Sequence, residues 1–206
     1  EGDGGGNPFA SALVELLNAP ALDLAQLQSG IVDVTRTKSR GFQRPDIKPA
    51  VTKTNWTLLP RTAGESRVAL VVVFSDYTQS GGANSLPGAK LDLERIARAW
   101  ENAGFETRRA LDPDVAQLAR VLDEFAIRSR DADAAALYVT GHGVEVERVT
   151  YLLPGNYPVA QGNNALETRA VRLARFAPAL RARRINLLFY GGCRDDPFFG
   201  ALAPVR

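Results

Sequence analysis

The sequence of 206 residues contains one cysteine and one histidine. A single thiol excludes any disulfide within the chain, the pattern expected of a protein from a reducing compartment. Long apolar runs are also lacking. None is longer than Val68 to Phe74, far short of the roughly 20 residues that a membrane-crossing helix needs. Nor is there an excess of charge: 25 Lys and Arg stand against 23 Asp and Glu, and a net charge of +2 gives no electrostatic case for a nucleic-acid or membrane partner. The opening Glu1-Gly2-Asp3-Gly4-Gly5-Gly6 has neither the basic start nor the apolar middle and small-residue cleavage site of a secretory signal. These absences predict a cytoplasmic protein, in which the Asn55-Trp56-Thr57 acceptor pattern carries no meaning.

The hydrophobic content of 45% and the charged content of 23% are those of a folded soluble chain. From Ser66 onward the pattern alternates strand and helix, which predicts a mostly parallel sheet with helices on both faces. Arg67 to Phe74 is β-branched and continuously apolar, as a strand buried on both faces should be. Lys90 to Ala103 carries Leu93, Ile96, Ala97 and Trp100 at helical spacing and stops at Gly104. Phe105 to Ala110 predicts a second strand. Asp112-Pro113 reads as an N-cap with proline at the first helical position, opening a helix with Val115, Leu118, Ala119, Leu122, Phe125 and Ala126 on one stripe. Ala134 to Val139 predicts a strand that runs into Thr140-Gly141-His142-Gly143. A helix over Thr168 to Leu180 is expected next, and then a strand over Ile185 to Tyr190 that runs into Gly191-Gly192-Cys193-Arg194.

In open α/β sheets, sites gather beyond the carboxyl ends of the strands, so this reading brings His142 and Cys193 to one rim. Gly81 to Ser85 and Asn156 to Asn164 are polar and turn-rich, hence loops near that rim. A thiol is nucleophilic as thiolate, and an imidazole can take its proton and return it to a leaving amine. With one residue of each kind, any Cys/His mechanism must use His142 and Cys193.

The two are about 50 residues apart, the spacing of the caspase signature. Strand-Thr140-Gly141-His142-Gly143, Tyr151-Leu152-Leu153-Pro154 and strand-Cys193-Arg194-Asp195-Asp196-Pro197-Phe198 together resemble the large-subunit core of the caspase, metacaspase and bacterial orthocaspase group. The resemblance spans roughly residues 66 to 200 and implies a caspase-like three-layer α/β sandwich. It implies a cysteine endopeptidase acting on proteins or peptides, with catalytic His142 and Cys193, an oxyanion hole from the amides of Gly143 and Cys193, and no metal or organic cofactor. Relatives usually carry an acid or amide two residues before the cysteine, which in metacaspase-like members helps bind a basic P1 side chain. Here that position is Gly191, whose missing side chain reshapes the specificity pocket; Asp76, after the first core strand, is the substitute acid, although an aspartate there is more often a turn former.

Asn7 to Leu17, Leu22-Asp23-Leu24 and Gly41 to Pro45 resemble the small-subunit helices that follow the cysteine in relatives. Residues 1–60 thus read as a small-subunit-like segment and 61–206 as the catalytic core, together one domain. Val51 to Leu59 is a later edge strand on this reading, and the sheet edge a surface for self-association. Either a permuted chain or a processed zymogen with its small part first accounts for the order. An end at Arg206 fits self-cleavage after arginine, which favours Arg or Lys at P1.

Other motifs have plainer readings. Gly2 to Gly6 lacks the Lys-Ser/Thr ending of a phosphate loop, which also argues against a doubly wound nucleotide-binding domain. The run Arg181 to Arg184 reads as the solvated end of a helix. Asp195 and Asp196, beside Arg194 and before Pro197, read as capping or pairing residues and not as metal ligands. A catalytically degenerate binding or scaffolding module is the alternative function, because folds outlive their chemistries.

Overall fold

The computed structural model describes residues 6–48 and 56–192. In chain order the elements are α1 (Pro8–Leu17), β1 (Leu22–Asp23), α2 (Leu24–Lys38), β2 (Thr57–Leu59), β3 (Arg67–Val73), α3 (Pro87–Asn102) and β4 (Glu106–Leu111). They continue with α4 (Val115–Arg130), β5 (Ala134–Thr140), β6 (Gly143–Val146), β7 (Val149–Leu152), α5 (Leu166–Arg169), β8 (Val171–Arg172) and β9 (Ile185–Tyr190).

The four strands β4, β3, β5 and β9 form a parallel sheet in that order. Every residue of β3 and β5 is buried, so the apolar runs sit at the centre, where neither face meets water. Successive side chains point to opposite faces. Val68, Leu70 and Val72 with Ala135, Leu137 and Val139 join Leu118, Leu122 and Phe125 of α4 in one core. Ala69, Val71 and Val73 with Ala134, Ala136 and Tyr138 join Leu13 of α1 and Ile96 and Trp100 of α3 in the other. The result is three layers. Each large apolar side chain buried this way contributes about 1.5–3 kcal/mol, far more than any surface ion pair, so alternation along two strands sets the architecture.

The chain passes from β3 outward to β4, then back over to β5 on the other side. Because such crossovers are right-handed, reversing direction puts α3 and α4 on opposite faces. The reversal leaves a switch point between the carboxyl ends of β3 and β5, the usual position of a ligand crevice.

Several expectations need correction. Asp112 is not the cap of α4; that role belongs to Asp114, whose side chain accepts from Gln117 N while Gln117 reaches back to Asp114 N. Asp112 instead adopts φ +48°, and its carboxylate accepts from Ser75 N at 2.5 Å, Ser75 Oγ at 3.0 Å and Asp76 N at 2.9 Å. Tertiary partners thus outcompeted the local cap. The helix expected over Thr168 to Leu180 is only the short α5, followed by β8 and 3-10 turns at Leu173–Arg175 and Ala177–Ala179. Here Val171 and Arg172 pair with Leu152 and Tyr151, and Pro178 has no N–H for a helix to use. Of the stretch Val51 to Leu59, the described residues contain β2, which pairs antiparallel with β1 and not with the main sheet; residues 51–55, with Asn55, lie outside the described residues, as do the first five.

The hairpin of β6 and β7 was not expected. Its turn residues Glu147 and Arg148 both have positive φ, 50° and 67°, without the glycine or asparagine that usually marks such a turn. No described helix is long and apolar enough to cross a membrane.

Candidate active site

β5 ends at Thr140, and Gly141 follows in a space that admits no side chain. A Cβ there would stand 2.8 Å from Phe74 Cβ and 2.9 Å from the Tyr77 hydroxyl. This close approach sets His142 against Tyr77. His142 N donates to the Tyr77 hydroxyl at 2.8 Å, and that hydroxyl donates to Leu153 O at 2.9 Å. The two rings meet edge to face with centroids 4.5 Å apart. Burial pushes the Tyr77 hydroxyl well above the usual tyrosine range, so it stays a donor. The His142 carbonyl accepts from Leu153 N at 2.9 Å, which ties the residue to the segment just after β7 as well.

The imidazole is oriented from its far side. Nε2 lies 2.7 Å from the carbonyl oxygen of Asn84. A carbonyl can only accept, so this nitrogen carries a hydrogen, and in the neutral ring Nδ1 is the acceptor. An imidazole in that tautomer is a base at Nδ1. Gly143, buried at the start of β6 opposite Leu152, follows directly.

The end of β9 is pinned to its surroundings. Gly191 N donates to Val139 O at 2.9 Å, and Gly191 O accepts from Thr140 Oγ1 at 3.1 Å and from Asn7 Nδ2 at 2.6 Å. A Cβ on Gly191 would stand 2.6 Å from the Tyr138 hydroxyl, so Tyr138 occupies the room in which a side chain at 191 would begin. Cys193 lies outside the described residues, as do Asp195, Asp196 and Arg206. The described chain stops at Gly192, one residue short of the thiol. In the β5 and β9 pairing Val139 stands opposite Tyr190; His142 comes three residues after the first and Cys193 three after the second.

Asp76 is exposed in the turn after β3. Its Oδ1 accepts from Thr78 N at 3.0 Å and Thr78 Oγ1 at 2.8 Å, and these bonds hold the carboxyl below the usual carboxylate range. Asp76 follows β3 and Gly191 follows β9, with β5 between the two strands. Both residues thus lie beyond the carboxyl ends of strands of one sheet, one strand apart. The two expected loops meet, since a Cβ on Gly82 would stand 3.3 Å from Val159 Cγ1, although the second is not all loop: Val159–Ala165 is a 3-10 helix.

Three contributors escaped the sequence reading. Asn84 acts through its backbone, which leaves no mark in residue type, although its loop stands out as polar and turn-rich. Tyr77 looks like any aromatic after a strand. Asn7 is legible as a cap before Pro8, but not as a partner of Gly191, far away in the chain. Among the described residues no group of three or more His, Cys, Asp or Glu is placed to hold a metal ion.

Compared with family models, residues 66–203 match the caspase domain. No curated protein matches the chain.

Proposed function

The chain belongs to the caspase-domain family of cysteine peptidases, and from that premise we propose that it is a cysteine endopeptidase working through Cys193 and His142. The observation that carries the reading is the pairing of β5 with β9. Adjacent parallel strands run about 4.8 Å apart, and the two residues stand the same number of positions beyond an opposed pair. The Asn84 carbonyl adds to it by favouring the neutral tautomer with its hydrogen on Nε2 and its acceptor at Nδ1.

In this mechanism Nδ1 takes the thiol proton as the Cys193 sulfur attacks the scissile carbonyl. The negative charge that develops on the carbonyl oxygen is met by the amides of Gly143 and Cys193, each worth about 3–4 kcal/mol by analogy with other peptidases. Collapse of this intermediate breaks the C–N bond, and Nδ1–H protonates the leaving amine. Water then attacks the thioester, giving its proton to Nδ1, and Cys193 departs as the thiolate. The Tyr77 ring beside His142 limits the positions the imidazole can occupy.

Protein or peptide substrates follow from the family. A preference for Arg or Lys at P1 is supported by Asp76, which its Thr78 bonds keep ionised next to Tyr77. Activation by proteolytic processing, a cytoplasmic site of action and self-association along the outer edge of β9 complete the proposal. Among the described residues that edge has no strand partner. A binding module without activity is the second reading, favoured by the absence of a side chain at Gly191.

Fluorogenic peptides differing only at P1 (Arg, Lys, Asp or Leu) separate the readings. The wild-type protein is expected to cleave after Arg and Lys, Cys193→Ala to abolish cleavage, and His142→Ala to lower kcat/KM by about 10²–10⁴. Activity that survives Cys193→Ala would sink the mechanism, and a wild-type protein inert toward all four peptides would leave the binding module.

A further inference from the structure

We infer that Asn7 is a positioning residue for the segment that carries Cys193, an inference that rests on the peptidase reading above. Its side chain does two things at once. Oδ1 accepts from Phe9 N at 2.9 Å and so caps α1, while Nδ2 donates to the Gly191 carbonyl at 2.6 Å. Aspartate, serine and threonine also cap helices, but only the amide offers an acceptor for the cap and a separate N–H to send outward.

Asn7 is itself held in place. Its backbone N donates to Asp92 Oδ2 at 2.8 Å. The Asp92 side chain is fully buried and pairs through Oδ1 with Arg95 Nη1 at 3.2 Å, and Arg95 Nη2 donates to Ser11 Oγ at 3.3 Å. Gly6 packs so tightly here that a Cβ would stand 2.2 Å from Asp92 Oδ1. Two residues after Asn7, the Phe9 ring stacks on Tyr138 with centroids 6.4 Å apart and planes at 19°. Tyr138 is the residue that fills the space beside Gly191. The start of α1 is thereby fixed to α3 and β5 before it touches β9.

The effect on the site follows from backbone geometry. Gly191 and Gly192 are the residues that a chain orders least readily, and they directly precede Cys193. Fixing the Gly191 carbonyl with two donors, Asn7 and Thr140, fixes the plane of the rigid peptide unit it belongs to. Only the φ and ψ of Gly192 then stand between this plane and the Cys193 N–H, the amide assigned to the oxyanion. Oxyanion donors are effective because they are already aimed when charge develops, and a free Gly-Gly pair would leave this one unaimed.

The test uses the whole chain and two variants that keep the cap. Asn7→Ser retains a capping oxygen but is too short to reach Gly191 as well. Asn7→Asp is isosteric and places a carboxylate against the Gly191 carbonyl. Both are expected to keep the fold, with thermal midpoints within a few degrees of wild type. Both should lower kcat by about five- to fiftyfold with KM changed less than about threefold. In Asn7→Ser, which adds no charge, the pH profile of Cys193 alkylation by iodoacetamide should not move, because alkylation uses the thiolate and not the oxyanion hole. Amide hydrogen exchange across 191–193, read by mass spectrometry, should quicken in both variants by about tenfold or more. Unchanged exchange and unchanged kcat in folded Asn7→Ser would overturn the inference. A wild-type chain inactive on every peptide would overturn the peptidase reading instead, and the exchange experiment would still decide whether Asn7 holds the Gly191 segment.

Discussion

Asp92 and Asp112 are both aspartates near the rim of one sheet, and they behave in opposite ways. Asp112 was legible as a turn or cap residue, yet its acceptors serve Ser75 and Asp76 on a different element. That role depends on β3 and β4 pairing in register, which residue type cannot express. Asp92 looks like an ordinary helix aspartate but is fully buried. Burial pushes its carboxyl above the ordinary value of 3.8, although the Asn7 N–H and Arg95 pull the other way. The folded protein therefore holds this proton more tightly than the unfolded chain does. The resulting stabilisation is fully present below the unfolded value and is lost as the pH rises through the raised folded one. Asp92→Asn removes the titration, so wild type should lose stability relative to the variant as the pH increases across that window. Urea midpoints of both proteins over a pH series check this; a constant difference would contradict it.

Elements that bury both faces were the legible ones. β3 and β5 were read correctly because continuous apolar runs have few other uses in a soluble chain; β9, the edge strand with mixed burial, was read from its run Leu187 to Tyr190. α3 and α4 were read from their stripes, with the start of α4 displaced because Asp112 has another task. The hairpin of β6 and β7 was missed for a reason that also yields a prediction. Glu147 and Arg148 sit in the left-handed region, where residues with a Cβ are strained by about 1–2 kcal/mol each. Replacing the pair by Asn-Gly, the favoured residues of this turn type, should stabilise the protein by about 1 kcal/mol, read as a higher urea midpoint with an unchanged slope. The segment after α5 misled because its apolar residues suggest a helix, whereas pairing with β7 draws Val171 and Arg172 into extended backbone.

Across the whole molecule, Arg67 ties the early segment to the sheet. Its side chain is fully buried, pairs with Glu65 at 2.5 Å, and donates to Leu58 O at 2.7 Å and Ala103 O at 3.1 Å. The guanidinium also lies between Trp56 and Phe105, 5.0 and 5.4 Å from their ring centroids. Arg67→Ala leaves Glu65 buried without this partner and should cost about 3–5 kcal/mol, measured by chemical denaturation. A loss below about 1 kcal/mol would show that Glu65 finds compensation, for which Arg184 at 3.4 Å is placed. The sequence by itself determined the parallel sheet, its two-faced burial and the family resemblance, because apolar periodicity and one short motif at each of two strand ends are local properties. Tertiary structure alone decided that the Asn84 carbonyl orients His142, that Tyr138 fills the room beside Gly191, and that Asn7 holds the Gly191 carbonyl. These contacts join residues far apart in the chain through backbone atoms, and backbone atoms are the same in every residue until the fold assigns them partners.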